Sequence, residues 1–196
     1  MADKPFAEAA HQNRDAILLV LHETFQYAKN VLEIGSGTGQ HAVYFAQHLD
    51  HLRWQSSDKK SMLHGIQNWI DDEPLPNLPN AIELDVNTAW PDEKFDAAFA
   101  ANIAHIMHWQ DIEALFNGLS KVLIKNAIFC LYGPFNINGK YTSESNQRFD
   151  HWLKRRDPHS GLKDKSALDE LALRYDFHAE KTFTTPANNM ILCWKI

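Results

Sequence analysis

A chain of 196 residues that is 44% apolar, with six Trp and eleven Phe, can fill the core of one domain and little more. Its net charge of −6 excludes a globally basic surface for nucleic acid or anionic membrane. No apolar run approaches the roughly 18 residues that span a bilayer, and Met1–Phe6 lacks the basic-then-apolar pattern of a secretory signal. Cys130 and Cys193 lie inside apolar runs, so a reduced, cytoplasmic protein is expected.

In chain order, residues Ala7 to Ala28 place Ala10, Ile17, Leu18, Leu21, Phe25 and Ala28 on one stripe and predict an amphipathic leading helix. Val31–Ile34 predicts a strand, Gly35-Ser36-Gly37-Thr38-Gly39 a turn, and Gln40–Leu49 a helix through Val43, Ala46 and Leu49. Leu52–Asp58 alternates like a strand and stops at an acid. Met62, Leu63, Ile66, Trp69 and Ile70 form a helical stripe closed by Pro74, Pro76 and Pro79. Ala81–Leu84 is a short strand before Asp85, Phe95–Ala101 an apolar strand, Ile112–Leu123 a helix and Ala127–Tyr132 a buried strand. Such alternation predicts a doubly wound α/β fold with a mostly parallel sheet. Residues 133–165 break the pattern with Asn, Gly, Ser and charge around a helical island at Ser145–Arg156, as a binding insert would. Ser166–Asp169 reads as a helix start with a capping box. Phe177–Thr184 and Met190–Trp194, joined by Pro186-Ala187-Asn188-Asn189, read as a closing hairpin that makes the last strand antiparallel.

The turn after the first strand carries the chemistry. Glycine alone combines positive φ with close backbone approach to a ligand. In wound sheets ligands lie across the carboxyl ends of strands, and three such ends carry an acid: Glu33, Asp58 and Asp85. Glu33 can hold the turn and attract an ammonium. Asp58 follows the last glycine by about 20 residues, the spacing at which an acid accepts ribose hydroxyls. Asp85 can accept from an adenine amino group beside Val86, and the N–H groups of Ser36–His41 can face a carboxylate. A pyrophosphate would be repelled here, and Gln40 stands where a dinucleotide fingerprint needs its third glycine. No Gly-Lys-Ser/Thr follows, so a phosphate-binding loop is excluded. S-adenosylmethionine, cationic at sulfur and nitrogen, suits the three acids.

Glu33 through Gly39, Asp58, Asp85 and the closing hairpin resemble a class I S-adenosylmethionine-dependent methyltransferase, a resemblance that implies its seven-stranded sheet over nearly the whole chain. A closer resemblance, to a small methyltransferase-like family of unassigned substrate in bacteria and animals, rests on Asn13-Arg14, Asn102–Trp109, Tyr132–Phe135, Asn138-Gly139, Asn146–Asp150 and Pro186–Asn189. The expected cofactor set is Glu33, Gly35, Ser36, Gly37, Gly39, Asp58, Asp85, Val86 and Asn102, with S-adenosylhomocysteine as product.

Methyl transfer is an in-line displacement in which alignment and exclusion of water matter most, and a base is needed only where the acceptor must lose a proton. His105, after the fourth strand, is the candidate base at neutral pH, and Tyr132, ending the fifth, the candidate to close the pocket. Asn13 and Arg14 interrupt the apolar stripe of the leading helix, and with Asn136, Asn146, Phe149 and Asp150 of the insert they form the expected acceptor set. Trp109 is expected in the core. The basic group Lys154–Arg156 with Lys163 and Lys165 reads as a solvated helix end. An Asn-Pro-Pro-aromatic signature is absent at Asn102–His105, and the eleven histidines show no metal spacing, so no metal is expected. The expectation is a single domain, monomer or weak homodimer, methylating a small molecule without nucleic-acid or membrane partners. Two alternatives stay open: a protein or RNA methyltransferase docking through the insert, and a non-catalytic sensor of the methyl donor.

Overall fold

The computed structural model describes residues 4–196. Seven strands, β1 (Asn30–Ile34), β2 (Arg53–Asp58), β3 (Ile82–Glu83), β4 (Phe95–Ala101), β5 (Leu123–Gly133), β6 (His178–Thr185) and β7 (Asn189–Lys195), form one sheet in the order β3-β2-β1-β4-β5-β7-β6. β1 through β5 pair in parallel, and β7 runs antiparallel to both β5 and β6. The strand order reverses between β1 and β4, where wound sheets hold their ligands.

Among the described residues six α-helices cover the faces: α1 (Glu8–Thr24), α2 (Gln40–His48), α3 (Leu63–Asp72), α4 (Trp109–Val122), α5 (Glu144–Arg156) and α6 (Lys165–Leu173). Side chains of a strand alternate between faces, and the core divides accordingly. Val31, Ala97, Phe99 and Cys130 pack under α1, α2 and α3, whereas Leu32, Ala98, Ala100 and Phe129 pack under α4 and α6. Both faces bury apolar side chains, which explains the near-continuous apolar strands.

Several boundaries differ from the sequence reading. The leading helix stops at Thr24 rather than Ala28, since Phe25 leaves helical geometry. α4 begins at Trp109, three residues early, because the Asp111 carboxylate accepts from the His108 N–H at 3.2 Å. Trp109 is therefore a half-exposed helix start rather than core. β5 begins at Leu123, directly at the end of α4. α6 is capped by Asp164, whose carboxylate accepts from the Ser166 N–H, so the expected capping box at Ser166–Asp169 does not form. The third strand shrinks to Ile82–Glu83. Cys130 and Cys193 face each other across β5 and β7 as buried thiols. No helix among the described residues is long and apolar enough to cross a membrane.

Candidate active site

At the carboxyl ends of β1, β2 and β4 lies a cavity of about 940 Å³, at the upper end of the usual range for small-molecule sites. The three glycines of the first turn all have positive φ, yet they do different work. A Cβ on Gly35, which lines the cavity, would fall 2.6 Å from Ile103 Cγ2, and one on Gly39, which does not, 2.9 Å from Ile66 Cα, so Gly39 serves packing and Gly35 both. A Cβ on Gly37 would meet nothing within 4 Å; Gly37 lines the cavity, where a side chain would occupy ligand space.

The turn is locked from behind. Glu33 is 2% exposed, and its carboxylate accepts from Ser36 Oγ at 2.9 Å and Trp54 Nε1 at 3.0 Å. Gly35 N–H and Ser36 N–H both donate to Ser57 O at 3.0 Å. Glu33 therefore braces the loop and does not line the cavity, which corrects its expected contact with the ligand's ammonium. Burial pushes its pKa from 4.5 to about 7, against the two hydrogen bonds, which lower it. Between those values the unfolded chain releases the proton while the folded protein keeps it, so this group's contribution falls as pH rises and is constant above pH 7. Glu33→Gln is expected to be more stable than the native protein by about 3 kcal/mol at pH 8, with the gain disappearing below pH 4.5. Denaturant unfolding at both pH values checks this; a difference that does not change with pH contradicts it.

Asp58 faces the cavity. Its carboxylate oxygens each accept one backbone N–H, from Gly37 and from Lys59, both at 2.7 Å. Burial raises its pKa and those bonds oppose the rise. Each oxygen retains a lone pair for a ligand. The N–H groups of Gly35, Ser36, Gly37, Gly39 and Gln40 are already engaged, so the expected anion-facing row of Ser36–His41 narrows to Thr38 and His41, both of which line the cavity. Val86 and Asn102 line the cavity as expected, Asn102 with a φ of 60°. Asp85 does not: its carboxylate accepts from Asn87 N–H at 3.1 Å and pairs with Lys59 at 3.4 Å. Asn87 and Asp111, joined by a 2.8 Å hydrogen bond, line that end instead.

His105 lines the cavity at 8% exposure, edge-on to Phe149 with ring centres 5.1 Å apart. Its Nδ1 is buried without a hydrogen-bond partner among the described residues. Burial, helped by the Lys163 ammonium, lowers its pKa from 6.5 to about 4. The imidazole is thus held in its neutral form at physiological pH, the form in which a ring nitrogen can accept a proton. Asn146 and Phe149 of α5 line the same wall.

Five expected site residues stand elsewhere. Tyr132 is buried with its hydroxyl accepting from Asn189 Nδ2 at 3.0 Å, and it does not line the cavity. Asn13 Oδ1 accepts from His41 Nε2 at 2.7 Å, and the Arg14 guanidinium lies 4.4 Å from the Tyr44 ring centre. Asn136 joins the insert to itself through Lys163 O, and its own carbonyl accepts from Lys165 N–H. Asp150 is fully buried, holding Tyr141 Oη, Lys154 Nζ and Leu162 N–H at 2.7–2.8 Å. These polar residues were legible as unusual; their structural use was not. Helical phase turns Asn13 and Arg14 toward α2, away from the cavity, while Ala7, Ala9 and Ala10 face it.

Ala7 and Ala9 had no signal beyond small size, and Ala10 only its place on the apolar stripe. The segment bearing them is pinned by Trp69 Nε1 donating to Pro5 O at 2.7 Å, Ala7 N–H donating to Gln40 Oε1 at 2.6 Å and a Lys4–Asp72 ion pair. The opposite wall uses Ala187 and Asn188, consecutive left-handed residues in the Pro186–Asn188 turn. Among the described residues, no three His, Cys, Asp or Glu side chains converge as metal ligands.

The basic group is dispersed. Lys154 pairs with Asp150, Lys165 with Asp169, Arg156 stacks on Trp152, and Lys163 is buried against Met107 O and Gly161 O.

Solved structures share this architecture. The S-adenosylmethionine-dependent methyltransferase SibL in its apo form superposes with a TM-score of 0.82 at 15% identity, covering 95% of this chain and 55% of SibL. An O-methyltransferase family protein from Burkholderia thailandensis gives 0.82 at 11% identity, covering 96% and 57%. Human N-acetylserotonin methyltransferase, in complex with S-adenosylmethionine, gives 0.80 at 12% identity, covering 96% and 52%. The chain spans only slightly more than half the length of each of these proteins, and identities this low establish the fold alone. That fold is the class I S-adenosylmethionine-dependent methyltransferase fold. A family model described as "Protein of unknown function (DUF938)" matches residues 4–196, and the chain belongs to that family.

Proposed function

We propose that this protein is an S-adenosylmethionine-dependent methyltransferase acting on a small molecule. The observation that carries the reading is the opening of Gly37 and the Asp58 carboxylate onto one cavity with His105, Asn146 and Phe149. Asp58 would hold the ribose hydroxyls, Val86, Asn87 and Asp111 the base, and the N–H groups of Thr38 and His41 the carboxylate. When bound, the cofactor supplies a methyl group on a positively charged sulfur. The chain's own task is to position the acceptor and exclude water.

His105 would hold the acceptor's reacting group by a hydrogen bond and receive its proton where one must leave. A neutral imidazole can do so without first losing a proton itself. The small-molecule reading is supported by the walls on two sides, from α1 and from the β6–β7 turn, and by the O-methyltransferases among the proteins of similar fold.

Incubating the protein with methyl-labelled donor and cell extract, then identifying the labelled product by mass, tests this reading. A labelled metabolite is expected; label confined to protein or RNA overturns it. On the metabolite so identified, His105→Ala is expected to lose 10²-fold or more in turnover while keeping S-adenosylhomocysteine affinity within about twofold. Unchanged turnover would remove His105 from the mechanism.

A further inference from the structure

The charges lining the cavity are not evenly placed. Asp58, Lys59 and Asp111 follow β2 or open α4, whereas α5 and the β6–β7 turn contribute uncharged side chains. Charges near that wall are engaged elsewhere: Lys163 Nζ donates to Met107 O at 2.6 Å and Gly161 O at 3.1 Å, and Asp150 is held by three donors. The residues that α5 and the β6–β7 turn give to the cavity wall are all uncharged, and the exposed Glu144 and Arg148 of α5, which do not line it, pair with each other at 3.6 Å. Leaving a ligand's charge against that wall without a partner is costly.

Asn146 gives the wall its polarity. It is 5% exposed, and Ser143 Oγ caps α5 by accepting its N–H at 3.1 Å. Its side-chain amide lies 3.1 Å from Asn188 O and 2.8 Å from Thr142 Oγ1. A backbone carbonyl can only accept, so the amide nitrogen must face Asn188. Both Nδ2 protons are then engaged, and Oδ1 is left as a fixed acceptor on a residue that lines the cavity. One turn along the same helix face stands Phe149, stacked on Trp152 behind it with ring centres 5.9 Å apart.

We propose that the methyl acceptor is an uncharged, ring-bearing molecule that donates an O–H or N–H to Asn146 Oδ1 and lays its apolar body against Phe149. This deepens the methyltransferase reading and rests on it. A buried group built to receive a hydrogen bond discriminates strongly against analogues that lack the donor.

The test uses three probes by calorimetry, on the protein alone and loaded with S-adenosylhomocysteine: 2-naphthol, 2-methoxynaphthalene and 6-hydroxy-2-naphthoate. 2-Naphthol is expected to bind, with the methoxy compound and the carboxylate each about tenfold weaker or more. Asn146→Leu is expected to bring 2-naphthol and 2-methoxynaphthalene within about twofold of each other while retaining S-adenosylhomocysteine. Equal or tighter binding of the carboxylate overturns the proposal. So does failure of all three probes, or discrimination between the first two that survives Asn146→Leu. Should that variant not fold, the native protein's ranking of the three probes still decides. Failure of S-adenosylhomocysteine to bind counts against the methyltransferase reading instead, and the ranking on the protein alone is read separately.

Discussion

Asp58→Ala is expected to weaken S-adenosylhomocysteine binding about 100-fold, with a loss of stability of about 1–3 kcal/mol from the backbone donors left unpaired. The carboxylate contributes twice. It accepts Gly37 N–H and Lys59 N–H, fixing the turn against the end of β2, and it presents its remaining lone pairs to the cavity. Hydrogen bonds to a charged acceptor are worth about 1.5–3 kcal/mol each, so losing the two proposed ribose contacts would account for about two orders of magnitude or more. Asp58→Asn should suffer nearly as much, because its amide nitrogen would oppose one of the two backbone donors. Calorimetry and a melting curve on each variant check this. An affinity within threefold of native for Asp58→Ala would show that Asp58 holds the loop and no ligand.

Gly39→Ala is expected to lower stability by about 3 kcal/mol, or on the order of 10 °C in melting temperature. Its φ of 91° is unfavourable for any residue with a Cβ, and that Cβ would lie 2.9 Å from Ile66 Cα, a backbone atom of α3 that cannot turn aside. Gly37→Ala separates the roles. It faces open space at a φ of 60°, so its stability penalty is about 1 kcal/mol while ligand affinity falls much further. Thermal unfolding with and without S-adenosylhomocysteine distinguishes the two. Equal loss of stability in both variants would refute the division between packing and ligand glycine.

The alternation of elements was legible because strands buried on both faces read as apolar runs, and helices covering them keep a 3.6-residue stripe. Gly35–Gly39 and Asp58 were legible because their chemistry is local to one strand–turn–helix unit. Glu33 and Asp85 show the limit. All three acids end strands in the sequence, but pleat direction decides which way Glu33 and Asp58 point, and Asp85 lies in the loop beyond β3. Glu33 turns under α2 beside Trp54, Asp58 turns to the cavity, and Asp85 is drawn to Lys59 and Asn87. Asp150 and Tyr132 were misread for a related reason: their partners, Leu162 and Tyr141 or Asn189, lie nine or more residues away. Helix starts moved because their side-chain caps, Asp111 and Asp164, were not evident from the apolar stripe.

The cavity draws its walls from residues 7–10 at one end of the sequence and 187–189 at the other. A chain still emerging from the ribosome has the glycine turn and Asp58 long before it has the β6–β7 turn. If the proposed function holds, retention of a nucleoside ligand should therefore need residues 187–189: stalled nascent chains ending before residue 186 would let the ligand escape, however complete their first five strands.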